Sequence, residues 1–214
     1  MPLNYVVRAQ VVDLRRDNPK AEDSFLVDSN VWFWTTYPRA SLGATPPKFY
    51  QTRDYPNYLQ KALATSAKLH WCGLALSELA HRIEKVEHEI WNATEQAAGR
   101  PTCAPKEFRH NFAAERARIT REIETTWKAV ESLGSVLPAA LLIDAAGTTQ
   151  ALNEFKAVAL DGYDLFLLQA ARASGVTQII SDDGDFCCVA GITLFTSNYP
   201  VVCAARAQGK LLVR

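Results

Sequence analysis

Residues 160–186 read LDGYDLFLLQAARASGVTQIISDDGDF and hold more carboxylates than a helix, a turn and a strand require for themselves. Asp164 opens an apolar helix carrying Leu165, Phe166, Leu167, Leu168, Ala170 and Ala171. Ser174-Gly175 ends it, because glycine accepts the left-handed conformation that terminates a helix. A β-branched strand over residues 176–180 follows, and Ser181-Asp182-Asp183-Gly184-Asp185 makes the turn beyond its carboxyl end. That is the side of an α/β sheet where ligands bind. Asp164, at the start of the preceding helix, is expected near the same rim.

The same arrangement recurs upstream. Residues 25–27 (FLV) form a compact strand followed at once by Asp28-Ser29-Asn30. Taken alone, Asp28 reads as the N-cap of a helix containing Val31-Trp32-Phe33-Trp34. Residues 69–76 read as a third strand, and Ser77-Glu78 open the next helix. Glu78 falls in its first turn, where the helix dipole favours a carboxylate whatever the function. Strands separated by helices predict a parallel sheet covered on both faces, which lines up Asp28, Glu78, Asp164 and Asp183 along one edge. Carboxylates crowded there repel one another strongly at low effective dielectric unless a cation compensates. An all-oxygen donor set favours Mg²⁺ or Mn²⁺ over zinc.

The rest of the chain supplies the frame. Residues 1–23 form a charged lead-in in which residues 6–14 (VVRAQVVDL) make a short edge strand, and residues 24–214 form the main domain. Residues 37–58 carry Pro38, Pro46, Pro47 and Pro56, a density that predicts a loop or lid. Its Arg39, Lys48 and Arg53, beside Tyr37, Phe49, Tyr50 and Tyr55, suit a phosphate backbone and stacked bases; an insertion anchored to the core by those aromatics is the alternative. A short helix covers residues 59–68. Residues 77–133 form a helical hairpin, with Leu79, Ile83, Val86 and Ile90 on the first helix. The second helix, over residues 106–133, carries Phe112, Ile119, Ile123, Trp127 and Val130. His81, Glu84 and His88 lie near one helical face without the HExxH pattern, so they read as a solvated face rather than a metal set. An extended segment at residues 136–143, a helix at 148–159, a strand at 192–195, a Tyr199-Pro200 turn and a weakly patterned tail complete the chain.

Composition excludes several classes. Lys plus Arg and Asp plus Glu number 23 each, so no global basic field draws the protein to a polyanion, and any such site is local. The five cysteines show neither CxxC nor Cys/His ligand spacing, as expected of a reduced chain. No signal peptide and no apolar run of membrane-spanning length is present, which predicts a cytoplasmic location. A length of 214 residues suits one elaborated domain.

FLVDSN around Asp28, LSEL around Glu78, YDLFLLQAARASG from Tyr163 and IISDDGDF from Ile179 together resemble the four acidic blocks of PIN-domain nucleases, including the VapC-type toxins. The resemblance runs in order from residue 24 to about residue 197. It implies a three-layer α/β PIN-like fold, here with an inserted helical hairpin, and a Mg²⁺- or Mn²⁺-dependent endoribonuclease. Asp28, Glu78, Asp164 and Asp183 match the metal-binding and catalytic acids, with Asp185 a fifth ligand. Asn30 and Ser181 match residues that support the acids through hydrogen bonds. Asp182 competes with Asp183 for the fourth role, and Asp161 caps the helix close to the acids. The implied partners are an RNA substrate and an antitoxin protein. The apolar stripe of the hairpin reads first as intramolecular packing and, failing that, as the place where a second copy of the chain would associate. The long 37–58 segment and the hairpin depart from compact toxins of this type. A catalytically silent PIN-like module that binds RNA or protein is the alternative. A phosphoaspartate hydrolase is disfavoured, because VDSNV lacks an aspartate two residues after Asp28.

Overall fold

The computed structural model describes residues 3–137 and 144–214. Seven short strands form one all-parallel sheet: β1 (Gln10–Asp13), β2 (Ser24–Val27), β3 (Lys68–Trp71), β4 (Ser135–Val136), β5 (Gln178–Ile180), β6 (Thr193–Thr196) and β7 (Leu211–Leu212), in the order β4-β3-β2-β5-β6-β1-β7. The central strands bury residues on both faces. In β2, Phe25 and Val27 join a core with α1 (Ser29–Thr36), α2 (Phe49–Ala64), α3 (Leu74–Ala97) and α5 (Ala113–Leu133). Leu26 points the other way, into a core with α7 (Gly162–Ala173) and α8 (Tyr199–Ala207). This alternation gives three layers. α4 (Pro105–Asn111) packs on α5, and α6 (Ala145–Ala157) on α7.

The chain leaves β2 toward β3 on one side of the sheet and leaves β5 toward β6 on the other, although β2 and β5 are neighbours. Their carboxyl ends therefore border the crevice at the switch of strand order, where open α/β sheets bind ligands. The two strands end level: Val27 pairs with Ile180, and the Asp28 N–H donates to the Ile180 carbonyl at 3.0 Å.

Several elements differ from the sequence reading. β1 is no edge strand, because β6 and β7 flank it, and its burial on both sides follows from that. The expected loop over residues 37–58 is a loop only to Lys48; α2 then runs sixteen residues through Pro56 to Ala64, taking in the first part of the expected helix at 59–68, whose last residue already belongs to β3. Buried Asp54, Tyr55, Tyr58, Leu59 and Ala62 keep helical spacing, and their packing outweighs the hydrogen bond that the proline removes. The strand expected over residues 69–76 stops at Trp71, and α3 starts at Leu74, so Glu78 lies one turn deeper than its expected first-turn position. The second hairpin helix breaks at Phe112 (φ −117°, ψ 72°), whose ring packs 4.6 Å from that of Trp91. Of the extended segment at 136–143, residues 138–143 lie outside the described residues.

The tail is structured. Pro200 sits in the first turn of α8, where its missing N–H removes no bond, and Val201, Val202 and Ala205 are buried. β7 then pairs with β1, and Arg214 bridges Asp17 at 2.7 Å and Asp23 at 2.8 Å while lying over the Phe195 ring. Among the described residues, no helix is long and apolar enough to cross a membrane. The cysteines are all free.

The Arg214 clamp holds two nearly inaccessible carboxylates. Arg214→Ala would leave both without their cation, which costs about 3 kcal/mol when a buried pair is broken. Urea denaturation of the variant should show a loss of that order, and an unchanged midpoint would show the clamp to be passive.

Candidate active site

The level ends of β2 and β5 set the site. Asp28 occupies the N-cap position of α1, yet its side chain makes no capping bond. It accepts instead from Ser181 Oγ at 2.5 Å and from Ser29 Oγ at 3.2 Å. The Ser29 hydroxyl also reaches Glu78, so it lies between two carboxylates. Ser181 Oγ in turn accepts the Asp183 N–H at 2.9 Å, and Asp183 Oδ1 accepts the Asp185 N–H at 2.8 Å. On the opposite side, Asp161 caps α7 by accepting the N–H groups of Tyr163 and Asp164 at 2.9 and 3.0 Å. That cap holds the first turn of α7 with Asp164 buried in the crevice.

The carboxyls act on one another. Burial, then the charges of Asp28, Asp161, Asp183 and Glu78, push Asp164 up to about 9. Burial raises Asp28 to about 6; Glu78 and Asp183 add to the rise, and the Ser181 hydrogen bond opposes it. Glu78, Asp183 and Asp185 are raised too, first by burial and then by neighbours within the same set. Glu78 Oε2 is buried and has no hydrogen-bond partner, as does Asn30 Oδ1. Low dielectric and like charge thus combine to disfavour full ionisation.

The structure brings together Asp28, Glu78, Asp161, Asp164, Asp183 and Asp185. Asp182 is not among them. Its carboxylate accepts from Gln51 Nε2 at 2.6 Å, Tyr55 OH at 2.7 Å and Tyr50 OH at 3.0 Å, all from α2. Of the two adjacent aspartates, Asp183 therefore faces the other acids, and Asp182 ties the turn to α2. Ser181 donates to Asp28, whereas the buried Asn30 Oδ1 has no hydrogen-bond partner among the described residues.

The expected substrate cations fare differently. Arg39 donates to Glu87, which also accepts from Tyr37 and Arg118; the pair ties the 37–48 segment to the hairpin. Arg53 pairs with Asp54 at 2.7 Å and lies over Phe49. Lys48 makes no ion pair among the described residues and sits at the mouth of α2. On α3, Glu84 pairs with Arg109 and Arg116, and His88, expected on a solvated face, is instead buried against Phe108.

Two residues that the sequence reading missed border the acids. Arg82, one turn after Glu78 on α3, stacks 4.7 Å from the Phe33 ring centroid. Burial lowers its pKa, while the charges of Asp28 and Glu78 oppose the shift. It makes no ion pair among the described residues, so it tempers the acids without closing on them. The i, i+4 spacing from Glu78 was the available signal. Tyr5 lies over the acidic turn, and a Cβ on Gly184 would collide with its ring. No pattern in the first residues hints at this contact.

Among the described residues, no group of three or more histidine, cysteine, aspartate or glutamate side chains is arranged so that it could hold a metal ion. The chemistry of the donors nonetheless suits a hard cation: two buried and two half-buried carboxylates, one orphaned carboxylate oxygen, and no thiolate or imidazole in the set. No protein-family model matches the chain, and a search of curated proteins gave no match.

The raised carboxyls give a signed stability prediction. With a folded-state value near 9 against the ordinary 3.8, Asp164 keeps a proton in the folded chain that the unfolded chain has released. Stability therefore falls as pH rises from about 5 to about 9. Thermal melts in EDTA should show this decline, and Asp164→Asn should flatten it and raise the melting temperature at pH 8. Parallel pH profiles for parent and variant would remove Asp164 from the crowded set.

Proposed function

We propose that the protein is a metal-dependent endoribonuclease hydrolysing RNA phosphodiester bonds. The observation that carries this reading is the convergence of Asp28, Glu78, Asp164 and Asp183 at the crevice where β2 and β5 end level; burial, with neighbouring charge, raises the pKa of all four. Helix caps and turns have no need of two buried carboxylates, Asp28 and Asp164, with two half-buried ones, Glu78 and Asp183, set beside them. The resemblance to PIN-domain nucleases, with their four acidic blocks, adds to the same reading.

Asp28, Glu78, Asp164 and Asp183 are the residues that would hold Mg²⁺ or Mn²⁺, with Asp185 at the rim. Such an ion supplies compensation for their charge, polarisation of a phosphate and acidification of a water. The chain's own contribution is positioning. Ser29 and Ser181 fix both oxygens of Asp28. Ser181 also ties the Asp183 backbone to the same hydroxyl, so both strand-end acids move as one unit. Asp161 locks the first turn of α7 and keeps Asp164 facing the crevice. The Asp182 link to Tyr50, Gln51 and Tyr55 holds the β5 turn from behind, and burial and Asp182 push the Tyr55 phenol upward, which keeps it a donor.

A second reading, a catalytically silent module that binds RNA or protein, is favoured by Arg82, whose charge already offsets part of that of Asp28 and Glu78. An antitoxin partner belongs with the toxin branch of the resemblance.

Cleavage of a labelled RNA with Mn²⁺ decides between the two. The parent should leave 3′-hydroxyl and 5′-phosphate ends and stop in EDTA. Asp28→Asn and Asp164→Asn should each lower the rate by at least about 100-fold, and Ser181→Ala by roughly tenfold through misplacement of Asp28. Metal-independent RNA binding without cleavage, unchanged in Asp164→Asn, would favour the silent module.

A further inference from the structure

Glu78, Arg82, Lys85 and Glu89 follow one another at spacings of four, three and four along α3, so they form a stripe on one face. Its first residue belongs to the acid cluster. The others line a cavity of about 440 Å³ enclosed by α1, the segment before α2, and α3. Trp34, Lys48, Gln51 and His81 complete the part of its wall that matters here. The cavity adjoins the acids through α3, where Arg82 follows Glu78 by one turn; on its other side Gln51 donates to Asp182, in the β5 turn but outside the acid cluster.

The wall is fixed and basic. Glu89, its only acid, accepts the Ala44 N–H at 2.8 Å and lies 3.9 Å from Lys85. It thereby pins the loop to α3. Gly43 permits that approach, since a Cβ there would fall 2.8 Å from Glu89 Oε2 and 3.1 Å from Val86. Lys48, Arg82 and Lys85 outnumber this one carboxylate. The Arg82 guanidinium lies 4.7 Å from the centroid of the Phe33 ring, and Trp34 offers a half-buried indole. Planar cations and aromatic rings are what splayed bases stack on. A larger cavity of about 570 Å³, between α2 and the end of β1, is a weaker candidate: its Arg15 and Arg53 are held at 2.7 Å by Asp13 and Asp54, a tighter pairing than the 3.9 Å between Lys85 and Glu89.

We propose that the 440 Å³ cavity binds one nucleotide of single-stranded RNA, next to the phosphate presented to the acids, with its base against Trp34 and Arg82 and its phosphate against Lys48 and Lys85. The substrate class rests on the nuclease reading. The site itself rests on the cavity, its basic wall and its continuity with the acids. A single nucleotide fits a pocket of this size, whereas a duplex does not enter it.

The test is fluorescence anisotropy of the full chain with a roughly 12-nucleotide single-stranded RNA in EDTA, where no cleavage intervenes. Lys85→Glu, on a side chain 62% exposed, and Lys48→Glu should each weaken binding roughly five- to tenfold and lower the salt slope by about 1. Lys61→Glu, in the other cavity, should bind as the parent does. A parent that binds while Lys85→Glu and Lys48→Glu match it would overturn the subsite and leave the nuclease reading standing. No binding by the parent overturns the subsite as well. Loss of binding in the two lysine variants, with a parent that never cuts RNA in Mn²⁺, would uphold the subsite and refute the nuclease.

Discussion

The site depends on β2 and β5 ending at the same level. Because Val27 and Ile180 are paired and Asp28 donates its N–H to Ile180, the residue after each strand emerges beside the other. Asp28 and Ser181 then meet through a hydroxyl-to-carboxylate hydrogen bond of 2.5 Å. Shifting either strand by one residue would turn its side chains to the opposite face and separate the pair. Register, fixed by the buried pattern of Phe25, Leu26 and Val27 on one side and Ile179 and Ile180 on the other, is therefore what assembles the acids.

Adjacent aspartates in the β5 turn divide two tasks. Asp182 receives hydrogen bonds from α2 and joins the turn to the core on that side, with Asn198 donating to its carbonyl from beyond β6. Asp183, relieved of that work, turns to the crevice. A turn held only by its own backbone would let both carboxylates relax toward solvent and lose the crowding. Tyr5 closes over the same turn where Gly184 leaves room, so a residue near one end of the sequence, a helix after β2 and the chain after β6 all restrain a five-residue acidic segment.

Much of this was readable in the sequence because it is local. The helix after Asp161, its end at Gly175 (φ +69°), the strand behind it and the acid-bearing turn each have short-range signals, and strand-helix alternation gives the parallel sheet. What was not readable depends on distant partners. Asp28 has the neighbours of an N-cap but uses its side chain on Ser181, a contact across 153 positions. Tyr50, Tyr55 and Tyr58 read as loop aromatics beside prolines, and their helical spacing decided otherwise once they had a core to bury against. Leu211 and Leu212 are too few to announce a strand; β1 recruits them.

The α3 helix explains how a buried acid cluster and a basic cavity can lie side by side. Its apolar residues, Ala75, Leu79, Ile83 and Val86, face the core, so the stripe one step round the helix must emerge along the seam between sheet and loop. Glu78 falls at the sheet end, where it meets Asp28 and Ser29; Arg82 and Lys85 fall beyond it, where α1 and the loop leave space. Opposite charges one turn apart on a rigid helix create a field gradient along the crevice. A polyanion would experience it as a basic entrance leading to acids that only a cation makes approachable, so the repulsion among the acids and the attraction of the entrance act in sequence along one helix face.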